Sequence, residues 1–267
     1  MPSFHDIQGF IIDMDGVIWR GHEILPGVRE FFKLLQSNDL PFLVATNNST
    51  AIPEIISKRF AEFGIKLDPN HVVTSSNATA QFVERNFPDI RRVYCIGEEG
   101  LQGALTSKGY HLTASANDAQ AVIVGFDRHV NWSKLEEATL AIVGGAHFIG
   151  TNPDPSIPTE RGVAPGSGAI LAALQVATNV EPLIVGKPGP YIYLMAMERV
   201  QIEAHQTFIV GDRLETDIAG GIQAGMPTCL VLTGVTRRED LQSSPIQPDW
   251  VFNNLTEITA KLRKDRL

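Results

Sequence analysis

Short apolar runs alternate with amphipathic stretches along nearly the whole 267-residue chain. Runs with the length and composition of buried strands are FIID (10–13), PFLVAT (41–46), RRVYCIG (91–97), AVIVGF (121–126), HFIGTN (147–152), PLIVG (182–186), FIVGD (208–212) and TCLVLTG (228–234). Between them, VREFFKLLQSN, IPEIISKRFAEFG, WSKLEEATLAIVGG and PYIYLMAMERV place apolar residues at helical spacing. Such alternation predicts an α/β fold, with parallel strands joined by crossover helices and sheets covered on both faces. The length suits one large domain or two modest ones. Trp132, at the start of one amphipathic stretch, is expected to enter the core with its helix.

Several of these strands end in polar residues: Asp13 closes the first, Thr46 and Asn47 the second, Asp212 follows FIVG, and Lys187 lies just past a fourth. Ligands of open α/β sheets bind outside the carboxyl ends of the strands, so these residues point to one converging site. Each taken alone also suits a helix cap or a turn. In FIIDMDG the first strand delivers Asp13 and Asp15 to one place. Like charges repel and resist desolvation, so a cation or a reaction should compensate them.

Composition narrows the partners. Hydrophobic residues make up 43% and charged residues 19%, as in an ordinary soluble globular protein. The net charge is −8, the pI is near 5.4 and no basic stripe appears, which argues against nucleic acid and anionic membrane. No apolar run approaches the roughly 18 residues a membrane span needs. The first residues lack the basic-then-apolar order of a secretory signal. Cys95 and Cys229 form no CxxC pair and are expected as small core residues of a reducing compartment, hence a cytoplasmic protein without disulfides. The seven histidines are scattered and none falls in an HExxH pattern, so no zinc site is indicated.

DMDGV (13–17), TNNS (46–49), GKP (186–188) and GDRLETD (211–217), each after an apolar strand and in this order, resemble the four motifs of the haloacid dehalogenase superfamily. GTNPDPSIPTERGVAPGSGAI (150–170) and TDIAGGIQAGMPTCLVLTGV (216–235) are similar to its NagD-like or p-nitrophenylphosphatase-like branch. The resemblance implies a doubly wound, Rossmann-like catalytic core from residues 1–79 and 182–267, with an α/β cap domain at 80–181 inserted between the second and third motifs. It implies a Mg²⁺-dependent phosphatase that hydrolyses small phosphorylated metabolites through an aspartyl-phosphate. Sugar phosphates, nucleotides, phosphoglycolate and aryl phosphates are the branch's kinds of substrate. Pairing of cap faces into a homo-oligomer is left open.

The same resemblance assigns roles. Asp13 is the nucleophile, and Asp15 the general acid and then base, a division that needs a higher pKa at Asp15, expected from desolvation beside a like charge. Gly16 lets the chain turn so that both acids face one ligand. Thr46 through its hydroxyl and Asn47 through its N–H would hold phosphoryl oxygens, with Asn48 in the same loop. Lys187 would supply the fixed positive charge. Asp13, the Asp15 carbonyl and Asp212 would hold Mg²⁺, with Asp217 behind them in the second shell. An acid at position 15 favours phosphate over halide chemistry. In TNPDPSIP, Asn152 and Asp154 are the candidates to read the leaving group, although Asn-Pro-Asp-Pro is also a self-stabilised turn. Glu160, Arg161 and GVAPGSGA suit helix entry and packing as well as ligand. A phosphotransferase or mutase with the same intermediate, and a non-catalytic phosphate-binding regulator, are the alternatives.

Overall fold

The computed structural model describes residues 4–159 and 161–265, so Glu160 lies outside the described residues. The described chain forms two compact units. One comprises the residues up to Thr46, Pro53–Val73 and those from Tyr193 onward; the other comprises Asn47–Ile52 and Thr74–Ile192. Residues 47–52, 74–79 and 182–192 thus group with the second unit. Both units are built on parallel sheets with helices, the α/β arrangement that the alternation predicts.

In the first unit the strands run Trp250–Phe252, Thr228–Val231, Thr207–Gly211, Gly9–Ile12, Phe42–Thr46 and Val72–Thr74 across a six-stranded sheet. Gly9–Ile12 is buried at every position and pairs in parallel with both Phe42–Thr46 and Thr207–Gly211, Ile12 lying opposite Val44 and Val210. The chain lays its second strand on one side of the first and later strands on the other. The carboxyl ends of Gly9–Ile12 and Thr207–Gly211 therefore flank a switch in strand order, where α/β sheets bind ligands.

The helix Val28–Ser37 presents Val28, Phe31, Phe32 and Leu35, spaced three and four apart, to this sheet. Phe32 packs edge-on against Phe42 and Phe60 at 5.3 Å each, and Phe60 in turn against Trp19 at 5.2 Å. Full burial of such rings supplies most of the driving force for ordering this unit.

The second unit carries a five-stranded parallel sheet in the order Leu183–Ile184, His147–Gly150, Ala121–Val124, Arg92–Ile96 and His111–Thr113. Helices Trp132–Val143 and Ser167–Thr178 bury Ala138, Ala141, Ile142, Leu171 and Leu174 against Ile96, Val122 and Val124. Several local expectations change. The strand expected over 182–186 is confined to Leu183–Ile184. Two antiparallel hairpins, Trp19–Arg20 with Glu23–Ile24 and Ser156–Thr159 with Gly162–Pro165, interrupt the alternation, and both are too short to show a period. Trp132 is 80% exposed, because its helix turns Ala138, Ala141 and Ile142 inward and leaves the first residue on the other side. Cys229 is buried as expected, Cys95 is half-buried, and both are free thiols. Among the described residues no helix is long and apolar enough to cross a membrane.

Phe32→Ala should cost about 3–5 kcal/mol, the usual loss for a fully buried aromatic. A urea unfolding curve with unchanged slope and a lower midpoint would report it.

Candidate active site

Asp13 follows the Gly9–Ile12 strand directly and its N–H donates to Val210 O at 2.8 Å, so the sheet register continues through it. Asp212 follows the neighbouring strand Thr207–Gly211 in the same way. Asp13, Asp212 and Asp217 are all buried, at 6%, 3% and 1% exposure, and each offers a carboxylate oxygen within 4.8 Å of the others. Asp217, expected behind the other two, belongs to this same cluster. One turn beyond Asp212, its Oδ2 accepts from the N–H groups of Asp212 (3.3 Å) and Arg213 (3.2 Å). Tyr193 steadies that turn by donating its hydroxyl to Thr216 O at 3.2 Å.

Glycines make room for Asp212. A Cβ on Gly234 would lie 1.7 Å from Asp212 Oδ2, and one on Gly16 would lie 2.5 Å from the same oxygen. Gly16 also has φ of 90°, a conformation other residues rarely adopt. The N–H of Val235 donates to Asp212 Oδ2 at 2.6 Å, and Thr233 Oγ1 donates to Gly16 O at 2.6 Å, which ties the 233–235 segment to the turn after the first strand. The TGV of the sequence pattern marks that segment, but its hydrogen bonds were not legible there.

Asp15 corrects one expectation. It is exposed rather than desolvated, because the chain leaves the sheet at Asp13 and turns at Gly16. Its Oδ1 accepts from Trp19 Nε1 at 3.0 Å, and the buried indole is itself covered by the Arg59 guanidinium, 4.0 Å from the ring centre. Sequence reasoning missed Trp19, whose contact with Asp15 depends on the bend between them. Thr46 is buried at the end of Phe42–Thr46.

The remaining predicted residues, Asn47, Asn48, Asn152, Asp154 and Lys187, belong to the second unit. Lys187 is only 2% exposed. Its N–H donates to Asn47 Oδ1 at 2.8 Å, and its carbonyl accepts from Asn47 Nδ2 at 2.9 Å. Asn47 Nδ2 also donates to Asp154 Oδ2 at 3.2 Å. Asn152 is buried with its amide committed: Nδ2 donates to Asn47 O at 2.9 Å, and Oδ1 accepts from Ser167 Oγ (3.0 Å) and from the N–H of Asp154 (3.2 Å). Asn48 Oδ1 accepts from both the N–H and the hydroxyl of Thr50 at 2.9 Å, closing a local turn. Ser75 Oγ adds a second donor to Asn47 O at 2.8 Å.

Two buried carboxylates thus stand at adjacent strand ends with a third one turn away, close enough together to share a metal ion. The comparisons agree on the chain's class. The haloacid dehalogenase-like hydrolase profile matches residues 10–111, and a HAD-hydrolase-like profile matches 184–258. An acid sugar phosphatase from Staphylococcus epidermidis is 40% identical over 259 residues, covering 96% of this chain and 98% of that protein. NagD from E. coli K-12 superposes with a TM-score of 0.86 at 35% identity, over 94% of this chain and 98% of NagD. A glycerol phosphate phosphatase from Mycobacterium tuberculosis, solved in complex with magnesium, gives a TM-score of 0.88 at 32% identity, over 97% of this chain and 78% of that one. The chain belongs to the haloacid dehalogenase-like hydrolases, and within them to the NagD-like phosphatases. It is a phosphomonoesterase of that type.

Gly234→Ala should force the Asp212 carboxylate off its Val235 bond and cost about 1–3 kcal/mol, as overpacking does. Melting curves of G234A beside wild type measure it, and an unchanged midpoint would mean that the 233–235 segment yields freely.

Proposed function

We propose that this phosphatase hydrolyses small soluble phosphate monoesters, sugar and polyol phosphates foremost, through an aspartyl-phosphate on Asp13 with Mg²⁺ as cofactor. The Asp13–Asp212–Asp217 cluster carries the reading. Three buried carboxylates this close would repel one another and lose hydration unless a cation joined them. An all-oxygen donor set suits a hard divalent ion, and magnesium is the one present in the glycerol phosphate phosphatase. Asp13, Asp212 and the Asp15 carbonyl would hold it, with Asp217 adjoining. Bound there, Mg²⁺ would offset phosphate charge and keep the Asp13 carboxylate ionised beside its substrate.

The chain's own groups supply the rest. An Asp13 carboxylate oxygen attacks phosphorus in line while the bond from phosphorus to the ester oxygen breaks. Asp15 donates a proton to that departing oxygen, and its exposed position lets it reach a leaving group. Asp15 then takes a proton from a water whose oxygen attacks phosphorus; the Asp13 oxygen–phosphorus bond breaks and inorganic phosphate leaves. The Thr46 hydroxyl and the Asn47 N–H hold phosphoryl oxygens, Asn48 shapes their loop, and Lys187 offsets the charge that builds in the transition state. The motifs support these assignments.

Residues 80–181, all within the second unit, are the cap domain, and the core is 1–79 with 182–267. The names of the relatives support a sugar or glycerol phosphate over a nucleotide. A cytoplasmic location is supported by the two free cysteines.

Phosphate release from sugar phosphates, glycerol phosphate, nucleoside monophosphates and an aryl phosphate should depend on Mg²⁺ and stop with EDTA. Release that survives EDTA would overturn the metal assignment. Asp13→Asn should abolish turnover with the far-ultraviolet circular dichroism unchanged, whereas near-normal activity would remove Asp13 as the nucleophile.

A further inference from the structure

The half-buried Asp154 was expected to read the leaving group, but the hydrogen bonds around it point inward, to a side chain that grips Lys187. The Asn47 amide meets both main-chain groups of Lys187, accepting its N–H at 2.8 Å and donating to its carbonyl at 2.9 Å. Two bonds of this kind hold both main-chain groups of one residue, much as a neighbouring strand does. The amide cannot be turned over. The Lys187 N–H can only donate, while the Lys187 carbonyl and the Asp154 carboxylate at 3.2 Å can only accept. Asp154 therefore supplies an anionic acceptor that holds Nδ2 in place.

The network behind them is closed. Asn152 Nδ2 and Ser75 Oγ hold the Asn47 carbonyl, and Asn152 Oδ1 accepts the N–H of Asp154 at 3.2 Å. Gly186 leaves no slack before Lys187: its N–H donates to Thr151 O at 2.9 Å, and a Cβ there would sit 2.3 Å from that oxygen and 2.7 Å from Asn47 Oδ1. Every link lies within one compact unit.

We propose that Asp154 is a positioning residue that acts through Asn47 on Lys187, and that it does not select the leaving group. The inference rests on the phosphatase reading for its effect on turnover, but not for the network itself. Asp154→Ala removes the acceptor; Asp154→Asn keeps an acceptor oxygen and removes only the charge. D154A should lower kcat roughly tenfold, by the same factor on a sugar phosphate, glycerol phosphate and an aryl phosphate, as loss of one charge-assisted bond does. D154N should recover most of that loss. Hydrogen exchange at the Lys187 amide, read by NMR without substrate, should quicken in D154A and return toward wild type in D154N. A reordered ester preference in D154A, a D154N as impaired as D154A, or unchanged Lys187 exchange in D154A would each overturn the assignment. If the wild type hydrolyses none of the esters, the substrate reading fails, and the exchange rates alone decide the role of Asp154.

Discussion

Burial of the Asp13, Asp212 and Asp217 carboxylates within 4.8 Å of one another is the constraint around which the first unit is arranged. Charges in that position are costly unless paired, hydrogen-bonded or joined to a cation. The fold meets part of the cost with main-chain donors: Val235 N–H on Asp212, and Asp212 and Arg213 N–H on Asp217. Asp212 has room there because Gly16 and Gly234 carry no side chain, and Asp217 because Gly211 carries none. Such an acid cluster adds little to stability by itself. Its burial is therefore the observation that supports the proposed cation, since charges among apolar strands interact strongly.

The strand order explains why these acids meet. Gly9–Ile12 lies between Phe42–Thr46 and Thr207–Gly211, and all three point the same way, so residues far apart in the chain finish at one edge. The aromatic packing of Phe10, Phe31, Phe32, Phe42 and Phe60 holds that sheet to its helices. Rigid elements thus carry Asp13, Thr46 and Asp212, which suits a site held to tight geometry. In the second unit, polar bonds do comparable work. Asn47 uses its side chain on Lys187 and its carbonyl on Asn152 and Ser75, which orders a loop that apolar packing could not.

The two acids of the first motif are held in opposite environments. Asp13 is buried at a strand end, whereas Asp15 is exposed after the turn and bonded to the Trp19 indole. A nucleophile benefits from fixed geometry, and a proton carrier must reach both a leaving group and water. The burial difference supports the proposed division of labour, although Asp15 is exposed where a like charge beside it suggests desolvation.

What the sequence determined by itself is local or periodic. Apolar runs announced the parallel strands, and polar residues closing those runs announced Asp13, Thr46 and Asp212, because a buried strand admits a charge most readily where it ends. Helix existence followed from spacing in stretches such as Val28–Ser37, but Trp132 was misplaced because periodicity does not say where a helix face begins. The tertiary structure alone decided the pairings. Trp19 on Asp15, Asn47 on Lys187 across 140 positions, and Gly234 against Asp212 all depend on approach distances that no local pattern encodes. Asn152 and Asp154 show the difference most plainly: residues of these types suit a turn, a ligand or a neighbour, and only the folded chain brings Asn47 within reach of both.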